Sequence, residues 1–315
     1  MSNTRATAAD SASLDTFPRL LMHHARQRPN RPAMREKEYG IWQTYTWAEV
    51  AERVRSIASG LAELGFKRGD RLAVVGDNRP RLYWSVAAAQ CLGGIPVMMY
   101  QDAVAQEMAY VMQDAEIRFA CVEDQEQVDK MLEIKGDLPL LEHVIYDDPR
   151  GLRHYNQTFL HGLDEVLEMG RIHDQNHPDF LGNEIDKGSP EDVSVMLYTS
   201  GTTGKPKGVC QSHSAFIAAA QGGCSFDKLT DQDDILSYLP MAWVGDHLFS
   251  YAQALVAGFT INCPESGETV MGDLREIGPT YYFAPPRVFE NLLTQVMIRM
   301  EDASSIKRSV FQHFM

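Results

Sequence analysis

The stretch that decides the fold is LYTSGTTGKPKGV, from Leu197 to Val209, about two-thirds of the way along a chain of 315 residues. A Walker-type nucleotide loop has the pattern G-x-x-x-x-G-K-[ST] and is followed directly by a helix. Here only two residues separate Gly201 from Gly204, and Lys205 is followed by Pro206 rather than by Ser or Thr. The Rossmann fingerprint G-x-G-x-x-G is missing as well. The stretch is therefore neither of the two common nucleotide loops.

The flanking residues predict a strand, a loop and a second strand. VSVMLY (193–198) is an apolar run typical of a buried strand. KGVCQSH (207–213) looks extended, because Gly208 and the β-branched Val209 are poor residues with which to begin a helix. The loop between them is consequently predicted to be the turn of a hairpin.

The composition of this loop indicates a site for phosphate. Glycines allow backbone N–H groups to converge on one anion, Ser and Thr hydroxyls donate hydrogen bonds, and lysines supply positive charge. The candidate phosphate-binding residues are Thr199, Ser200, Gly201, Thr202, Thr203, Gly204, Lys205 and Lys207. The alternative interpretation is a flexible surface hairpin with no ligand.

Composition limits the rest of the function. The net charge of −14 argues against a general nucleic-acid-binding protein, which would present a basic face. The five cysteines form no CxxC pair, so the sequence predicts neither a disulfide framework nor a zinc site. No apolar run reaches the roughly 20 residues of a membrane span, and the first residues lack the apolar core of a signal peptide. We expect a cytoplasmic protein; peripheral membrane contact and a homodimer stay open.

Along the chain, strands alternate with helices, which predicts an α/β fold with a largely parallel sheet. RLAVVG, RPRLYWSVAAAQCLGG and IPVMMY (71–100) read as strand, helix and strand. Thr46 and Glu49 form a capping box at the start of a helix. Residues 1–14 are predicted to be a disordered lead. Residues 147–190 are predicted to be a loop-rich connection between lobe one (15–185) and the start of lobe two (186–315).

Three stretches together carry a resemblance to a known family. YTSGTTGKPKGV (198–209) resembles the phosphate-loop signature of the adenylate-forming superfamily, in which the second lysine, here Lys207, belongs to the pattern. LSYLPMAWVGDH (236–247) is similar to the next motif of that superfamily. YYFAPPRVFENLL (281–293) resembles the PRVFE element typical of long-chain acyl-CoA synthetases, which narrows the resemblance to that group.

The resemblance implies a fold and a domain organisation. It implies the large N-terminal AMP-binding domain, with two mixed or parallel sheets flanked by helices in an αβαβα arrangement, over residues 15–315. The family places further motifs and a small C-terminal domain with a catalytic lysine downstream, and neither is present in these 315 residues. We therefore expect a partial domain that is inactive or nearly inactive on its own.

The resemblance also implies a chemistry and further site residues. A fatty acid carboxylate is activated by ATP to acyl-AMP, and coenzyme A then displaces AMP; Mg²⁺ accompanies the phosphates, with Thr199 as its candidate ligand. Trp243 would be the gate, meaning the side chain at the mouth of the acyl pocket, and His247 and Gly258 would line that pocket. By its own chemistry, Trp243 in an apolar stretch is more often a core residue.

Two other functions stay open at this level. A different enzyme of the superfamily, such as an acyl-AMP ligase, an aryl-CoA ligase or an adenylation domain, would carry the same loop. A non-catalytic nucleotide- or acyl-binding fragment would carry it too. The PRVFE element favours the long-chain acyl-CoA type, and the intact loop argues against decay of this half of the site.

Overall fold

A computed structural model describes residues 14–199 and 204–314. They fall into two units, one ending at Tyr281 and the other beginning at Tyr282. The strands are β1 (Pro32–Glu38), β2 (Ile41–Thr46), β3 (Arg71–Val75), β4 (Ile95–Met99), β5 (Phe119–Val122), β6 (His143–Tyr146), β7 (Leu160–Gly162), β8 (Val193–Thr199), β9 (Lys207–Ser212), β10 (Asp234–Leu236) and β11 (Thr260–Cys263). The helices of the first unit are α1 (Phe17–Gln27), α2 (Trp47–Glu63), α3 (Pro80–Cys91), α4 (Ala105–Asp114), α5 (Gln125–Ile134), α6 (Leu163–Asn176), α7 (Phe180–Asp186), α8 (His213–Asp227), α9 (Val244–Asp246), α10 (Gln253–Ala257) and α11 (Val270–Ile277). A 3₁₀ turn, Lys135–Asp137, follows α5, and a π-helical stretch, His247–Ala252, joins α9 to α10.

The larger sheet has seven strands in the order β7-β6-β5-β3-β4-β8-β9. All neighbours are parallel except β8 and β9, which form an antiparallel hairpin. Parallel neighbours need crossover connections, and the helices between these strands supply them. The apolar runs at the centre of the sheet are buried because helices cover both of its faces.

The smaller sheet has the order β10-β11-β1-β2, with β2 antiparallel to β1 and the other neighbours parallel. The two strands β1 and β2 meet at Tyr39 and Gly40, which both have positive φ, 50° and 74°. Positive φ at both central residues is the requirement of the two-residue hairpin turn that matches the twist of the strands. Both sheets are thus mixed.

Helix α3 lies between the sheets and contacts β1 of the smaller sheet and β3, β4 and β5 of the larger one. Every residue of α3 is buried apart from Arg81, as expected for a helix covered on all sides. Helices α4 and α5 cover the opposite face of the larger sheet, where Met108, Met112 and Met131 pack on its strands. The predicted α/β fold with two mixed sheets flanked by helices is confirmed.

The prediction that residues 147–190 form a loop-rich connection was wrong. This region holds β7, α6 and α7, and α6 packs closely against α2. A Cβ placed on Gly170 would lie 1.7 Å from the carbonyl oxygen of Ser56, and one on Gly60 would lie 2.2 Å from that of Val166. Because these two glycines lack a Cβ, the backbones of α2 and α6 can approach each other this closely. Helix α6 was not predicted, because the polar residues on its exposed side suggested a loop.

The position of β8 also bears on the proposed lobes. Because β8 pairs with β4, residues 193–212 complete the larger sheet that begins with β3. The predicted boundary at 185/186 therefore does not coincide with a division between the sheets. Of the predicted disordered lead, 1–14, all residues but Leu14 lie outside the described residues.

The second unit contains α12 (Pro286–Glu301) and α13 (Ser305–Phe314). Pro286 occupies the first turn of α12, where its missing N–H would have no helical partner in any case. Among the residues that the structure describes, none of the helices is long and apolar enough to cross a membrane.

Candidate functional site

The described phosphate-loop candidates, Thr199, Gly204, Lys205 and Lys207, lie in or beside the β8–β9 hairpin, and the predicted order of strand, loop and strand is confirmed. Thr199, the last residue of β8, pairs with Lys207, the first residue of β9. Ser200, Gly201, Thr202 and Thr203 lie outside the described residues. The turn of the hairpin follows the carboxyl end of β8, beside the same end of β4. Ligands of α/β proteins characteristically bind at such carboxyl ends.

The described part of the loop is exposed and carries positive charge. Thr199, Gly204, Lys205 and Lys207 are all exposed. Gly204 has a φ of 94°, a conformation that L-residues with a side chain rarely adopt. A Cβ on Gly204 would meet no atom of residues 14–199 and 205–314 within 4 Å, so among the described residues it is the backbone conformation that favours glycine there. The structure thus brings the described candidates to one exposed turn.

Helix α4 holds the base of this hairpin, a contact that the sequence did not reveal. The Tyr110 hydroxyl donates to the carbonyl oxygen of Pro206 at 3.2 Å, and Lys205 Nζ lies 5.0 Å from the centre of the Tyr110 ring. Tyr198 donates to Asp114 Oδ2 at 2.6 Å. Burial and this carboxylate raise the pKa of Tyr198. The only sign of this contact in the sequence is that Tyr110 and Asp114 lie one helical turn apart.

A pocket of about 570 Å³ opens beside the loop. Its walls come from the end of β4, from α4 and from the hairpin, and they include Met98, Met99, Tyr100, Tyr110, Tyr198 and Lys205. Thr199 and Gly204 also line it. Thr199, Gly204 and Lys205 therefore border a cavity of the size that small-molecule ligands occupy.

The second motif runs from the end of β10 into α9. Trp243 is the residue before α9 and is half-buried. Its ring lies on the backbone of Gly245, where a Cβ would be 2.2 Å from Trp243 Cζ3. The backbone N–H of Asp246 donates to the carbonyl oxygen of Trp243 at 3.1 Å. The structure thus gives Trp243 a defined place at the start of a helical turn.

The side chain of Asp246 lies in a buried polar network that joins both sheets. Tyr83 donates to its Oδ2 at 2.7 Å, and Ser237 and Asn78 donate to its Oδ1 at 2.7 and 3.1 Å. All four residues are at most 7% exposed. Burial raises the pKa of Asp246 to about 6, although the hydrogen bonds favour the ionised carboxylate. Sequence reasoning missed this network, since its members are far apart in the chain.

His247 lies in the aromatic core, and its predicted place in the acyl pocket stays a prediction. Its ring packs against Phe17, Phe216 and Tyr251 at centroid distances of 6.0, 4.8 and 5.1 Å. Burial, followed by the charge of nearby His213, lowers the pKa of His247 to about 3. His247 is thus a neutral packing residue here.

Gly258 has a local structural role, and its predicted role of leaving room for an acyl chain stays a prediction. It ends α10 with a φ of 84°, and a Cβ there would lie 2.1 Å from a guanidinium nitrogen of Arg28. Left-handed glycines commonly end helices in this way. The helix end is further satisfied by His24, whose Nε2 lies 2.7 Å from the carbonyl oxygen of Leu255.

The described residues fit a magnesium ion only in part. Mg²⁺ prefers six oxygen ligands, usually waters, phosphates and one or two carboxylates. Thr199 offers one exposed hydroxyl, and no group of three or more His, Cys, Asp or Glu within 14–199 and 204–314 is arranged to hold a metal.

Comparison with known proteins identifies the family. The model for AMP-binding enzymes matches residues 21–312. The chain is 26% identical over 289 residues to long-chain-fatty-acid–CoA ligase ACSBG1 of Rattus norvegicus, covering 89% of this chain and 39% of that protein. It is 28% identical over 318 residues to ACSBG2 of Xenopus laevis, covering 97% of this chain and 42% of that protein. The chain thus spans about two-fifths of the length of these relatives.

A solved structure agrees with this result at the level of the fold. The A-PCP didomain of carboxylic acid reductase from Segniliparus rugosus, in complex with AMP, aligns with a TM-score of 0.78 at 18% sequence identity. The alignment covers 96% of this chain and 48% of that one. The resemblance stated from the phosphate loop is confirmed, and the chain belongs to the family of AMP-binding enzymes.

Proposed function

We propose that this chain provides the phosphate-binding hairpin and the gate segment, residues 236–247, of an ATP-dependent acid–thiol ligase that acts on fatty acids. The similarity to ACSBG1 and ACSBG2 supports the fatty acid as substrate. The observation that carries the proposal is the hairpin itself. In a chain of net charge −14, Lys205 and Lys207 are exposed in the hairpin, next to the carboxyl ends of the parallel strands β4 and β8.

The reaction has two steps. A carboxylate oxygen of the fatty acid attacks the α-phosphorus of ATP, and the bond to pyrophosphate breaks. The thiol sulfur of coenzyme A then attacks the acyl carbon, the bond to AMP breaks, and the thiol proton is released. Such reactions depend mostly on positioning and on neutralising phosphate charge.

Within this scheme the hairpin binds the departing pyrophosphate. Lys205 and Lys207 offset its negative charge, and backbone N–H groups around Gly204 hydrogen-bond its oxygens. Mg²⁺, when bound, supplies further positive charge to the phosphates, and Thr199 would contribute a hydroxyl oxygen.

The free thiols, four buried and one exposed at Cys210, support a cytoplasmic setting.

Trp243 marks the entrance of the acyl site in this proposal. The segment that carries it is held between the two sheets, where an acyl chain would exchange water for apolar surroundings. Each methylene that becomes buried contributes about 0.8 kcal/mol to binding. A ligand with a long acyl chain should therefore bind much more tightly than its acetyl counterpart.

A binding experiment on residues 1–315 tests this proposal. The probes are MgATP and the sulfamoyl adenylates of palmitate, acetate and benzoate, which mimic the acyl-AMP and cannot react further. We expect MgATP to bind, and the palmitoyl analogue to bind at least tenfold more tightly than the acetyl and benzoyl analogues. A preference for the benzoyl analogue would instead support an aryl-CoA ligase, and absence of MgATP binding would refute the phosphate-site assignment.

Turnover distinguishes an enzyme from a binding module. Release of AMP from ATP and palmitate, with and without coenzyme A, is measured in the same preparation. Vigorous release by residues 1–315 alone would contradict the expectation that this part is inactive by itself. Release of AMP that does not require coenzyme A would favour an acyl-AMP ligase.

A further inference from the structure

The buried carboxylate of Asp246 has no part in the chemistry described so far. It lies three residues after Trp243, at the end of α9. The side chains that hydrogen-bond to it, Asn78, Tyr83, Ser237 and Ser250, are all neutral. Burying a carboxylate is costly unless its oxygens are well hydrogen-bonded, so this arrangement calls for an explanation beyond packing.

The partners of Asp246 come from both halves of the fold. Asn78 follows β3 of the larger sheet, and Tyr83 lies on α3, the helix between the sheets. Ser237 follows β10 of the smaller sheet. Asn78 Nδ2 also lies 2.9 Å from the Tyr83 hydroxyl and 3.1 Å from Ser237 Oγ, so the donors contact one another as well. One side chain thereby joins the carboxyl ends of strands in two different sheets.

Backbone hydrogen bonds connect Asp246 to the turn that holds Trp243. The N–H of Asp246 donates to the carbonyl oxygen of Trp243, whose own N–H donates to the carbonyl oxygen of Pro240 at 2.9 Å. The Trp243 ring rests on the backbone of Gly245, directly before Asp246. Fixing the Asp246 carboxylate therefore fixes the turn on which the indole ring is supported.

We propose that Asp246 is a positioning residue, whose carboxylate anchors the Trp243 turn to both sheets and so sets the orientation of the gate toward the acyl chain. This inference rests on the proposed function, in which Trp243 lies at the mouth of the acyl site. Asp246 itself does not touch the substrate.

The chain offers a matched control. The Tyr251 hydroxyl donates to Gln90 Oε1 at 2.6 Å, a buried tyrosine hydrogen bond like that of Tyr83. Tyr251 follows Asp246 in the same helical segment and its ring stacks on that of Tyr83 at 6.1 Å. Among the hydrogen bonds of the described residues, none joins Tyr251 to the Asp246 carboxylate. A purely structural network predicts similar effects for Tyr83→Phe and Tyr251→Phe.

Two readouts test the proposal in the chain labelled with 5-fluorotryptophan. The chain has four tryptophans, and the ¹⁹F resonance of Trp243 is assigned with Trp243→Phe. Gly245→Ala, which must displace the indole ring, shows how that resonance responds to movement. The second readout is the affinity for the palmitoyl sulfamoyl adenylate.

We expect Asp246→Asn and Tyr83→Phe to shift or broaden the Trp243 resonance. Asp246→Asn should weaken binding of the palmitoyl analogue about tenfold, the size expected when one charge-assisted hydrogen bond is lost, and should leave MgATP binding within twofold. Tyr251→Phe should change neither readout. Thermal unfolding shows that each variant is folded, and Ser237→Ala replaces Asp246→Asn if the latter does not fold.

The proposal is overturned if the folded Asp246 variants leave the Trp243 resonance unchanged, or if Tyr251→Phe has the same effects. If the wild-type chain does not bind the palmitoyl analogue, the proposed function fails. The ¹⁹F readout still decides in that case whether Asp246 positions Trp243.

Discussion

The backbone conformation of Gly204 favours glycine at this position of the loop. Its φ of 94° is strained for any residue with a Cβ, whereas the surrounding space is open. Replacing glycine at such a position costs about 1–2 kcal/mol of local strain, because the new side chain must move φ out of its present region. Such a change would disturb the convergence of loop N–H groups on phosphate that we propose.

We expect Gly204→Ala to weaken MgATP binding about tenfold, with little change in the melting temperature. Gly267→Ala is the control, since Gly267 also has no neighbour within 4 Å and has no positive φ. Titration calorimetry on both variants provides the measurement. Equal affinities for the two variants would show that the loop does not depend on this backbone conformation.

At the scale of elements, Tyr110 links the β8–β9 hairpin to helix α4. Its ring faces Lys205 and its hydroxyl bonds to Pro206, so the two contributions can be separated by substitution. Tyr110→Phe retains the ring and loses the hydrogen bond, whereas Tyr110→Leu loses both. A neutral hydrogen bond and a cation–π contact at an exposed site each contribute about 1 kcal/mol.

We expect amide hydrogen exchange of residues 204–209 to become about fivefold faster in Tyr110→Phe and faster again in Tyr110→Leu. The control is Tyr155→Phe, which removes a tyrosine hydroxyl bonded to Asp129, away from the hairpin. Mass spectrometry of peptides that span the hairpin makes the comparison. Unchanged exchange in Tyr110→Leu would mean that α4 does not hold the loop.

The elements themselves were largely predictable from the sequence. Apolar runs such as RLAVV and the Thr46–Glu49 capping box are local signals, and the structure has a strand and a helix there. Helix α6 was missed because its packing depends on Gly60 and Gly170, which meet only in the folded chain. Similarly, Asp246 and Tyr83 are 163 residues apart, and only the topology brings them together.

At the scale of the whole molecule, three buried histidines make stability depend on pH. Burial lowers the pKa of His247 to about 3, and those of His24 and His213 to about 4. An unfolded histidine has a pKa of about 6.5. Between pH 6.5 and these lower values the unfolded chain binds protons that the folded chain does not, so the folded state loses stability as the pH falls.

We expect each of these histidines to remove about 2 kcal/mol from the free energy of unfolding between pH 7 and pH 5. His247→Phe, which retains an aromatic ring among Phe17, Phe216 and Tyr251, should reduce this loss by about that amount. Urea unfolding at the two pH values gives the measurement, with His154→Gln at an exposed position as the control. An unchanged pH dependence in His247→Phe would show that His247 is already accessible to protons in the fold.

The family of the whole chain could be predicted from twelve residues, while the roles of single residues could not. YTSGTTGKPKGV has a spacing specific enough to exclude other loops and to indicate phosphate chemistry. His247 and Gly258 were assigned by their position near Trp243 in the sequence. Their contacts depend on Phe17 and Arg28, which lie in the first helix and directly after it.

Titration of residues 1–315 with MgATP shows whether the hairpin binds the phosphates of ATP. We expect saturable binding that falls at least tenfold in Lys205→Ala/Lys207→Ala, with the melting temperature unchanged, because both side chains are exposed. Lys67→Ala, at another exposed position, should bind as the wild type does. Equal affinity in the wild type and the double variant would mean that the hairpin is not the phosphate site.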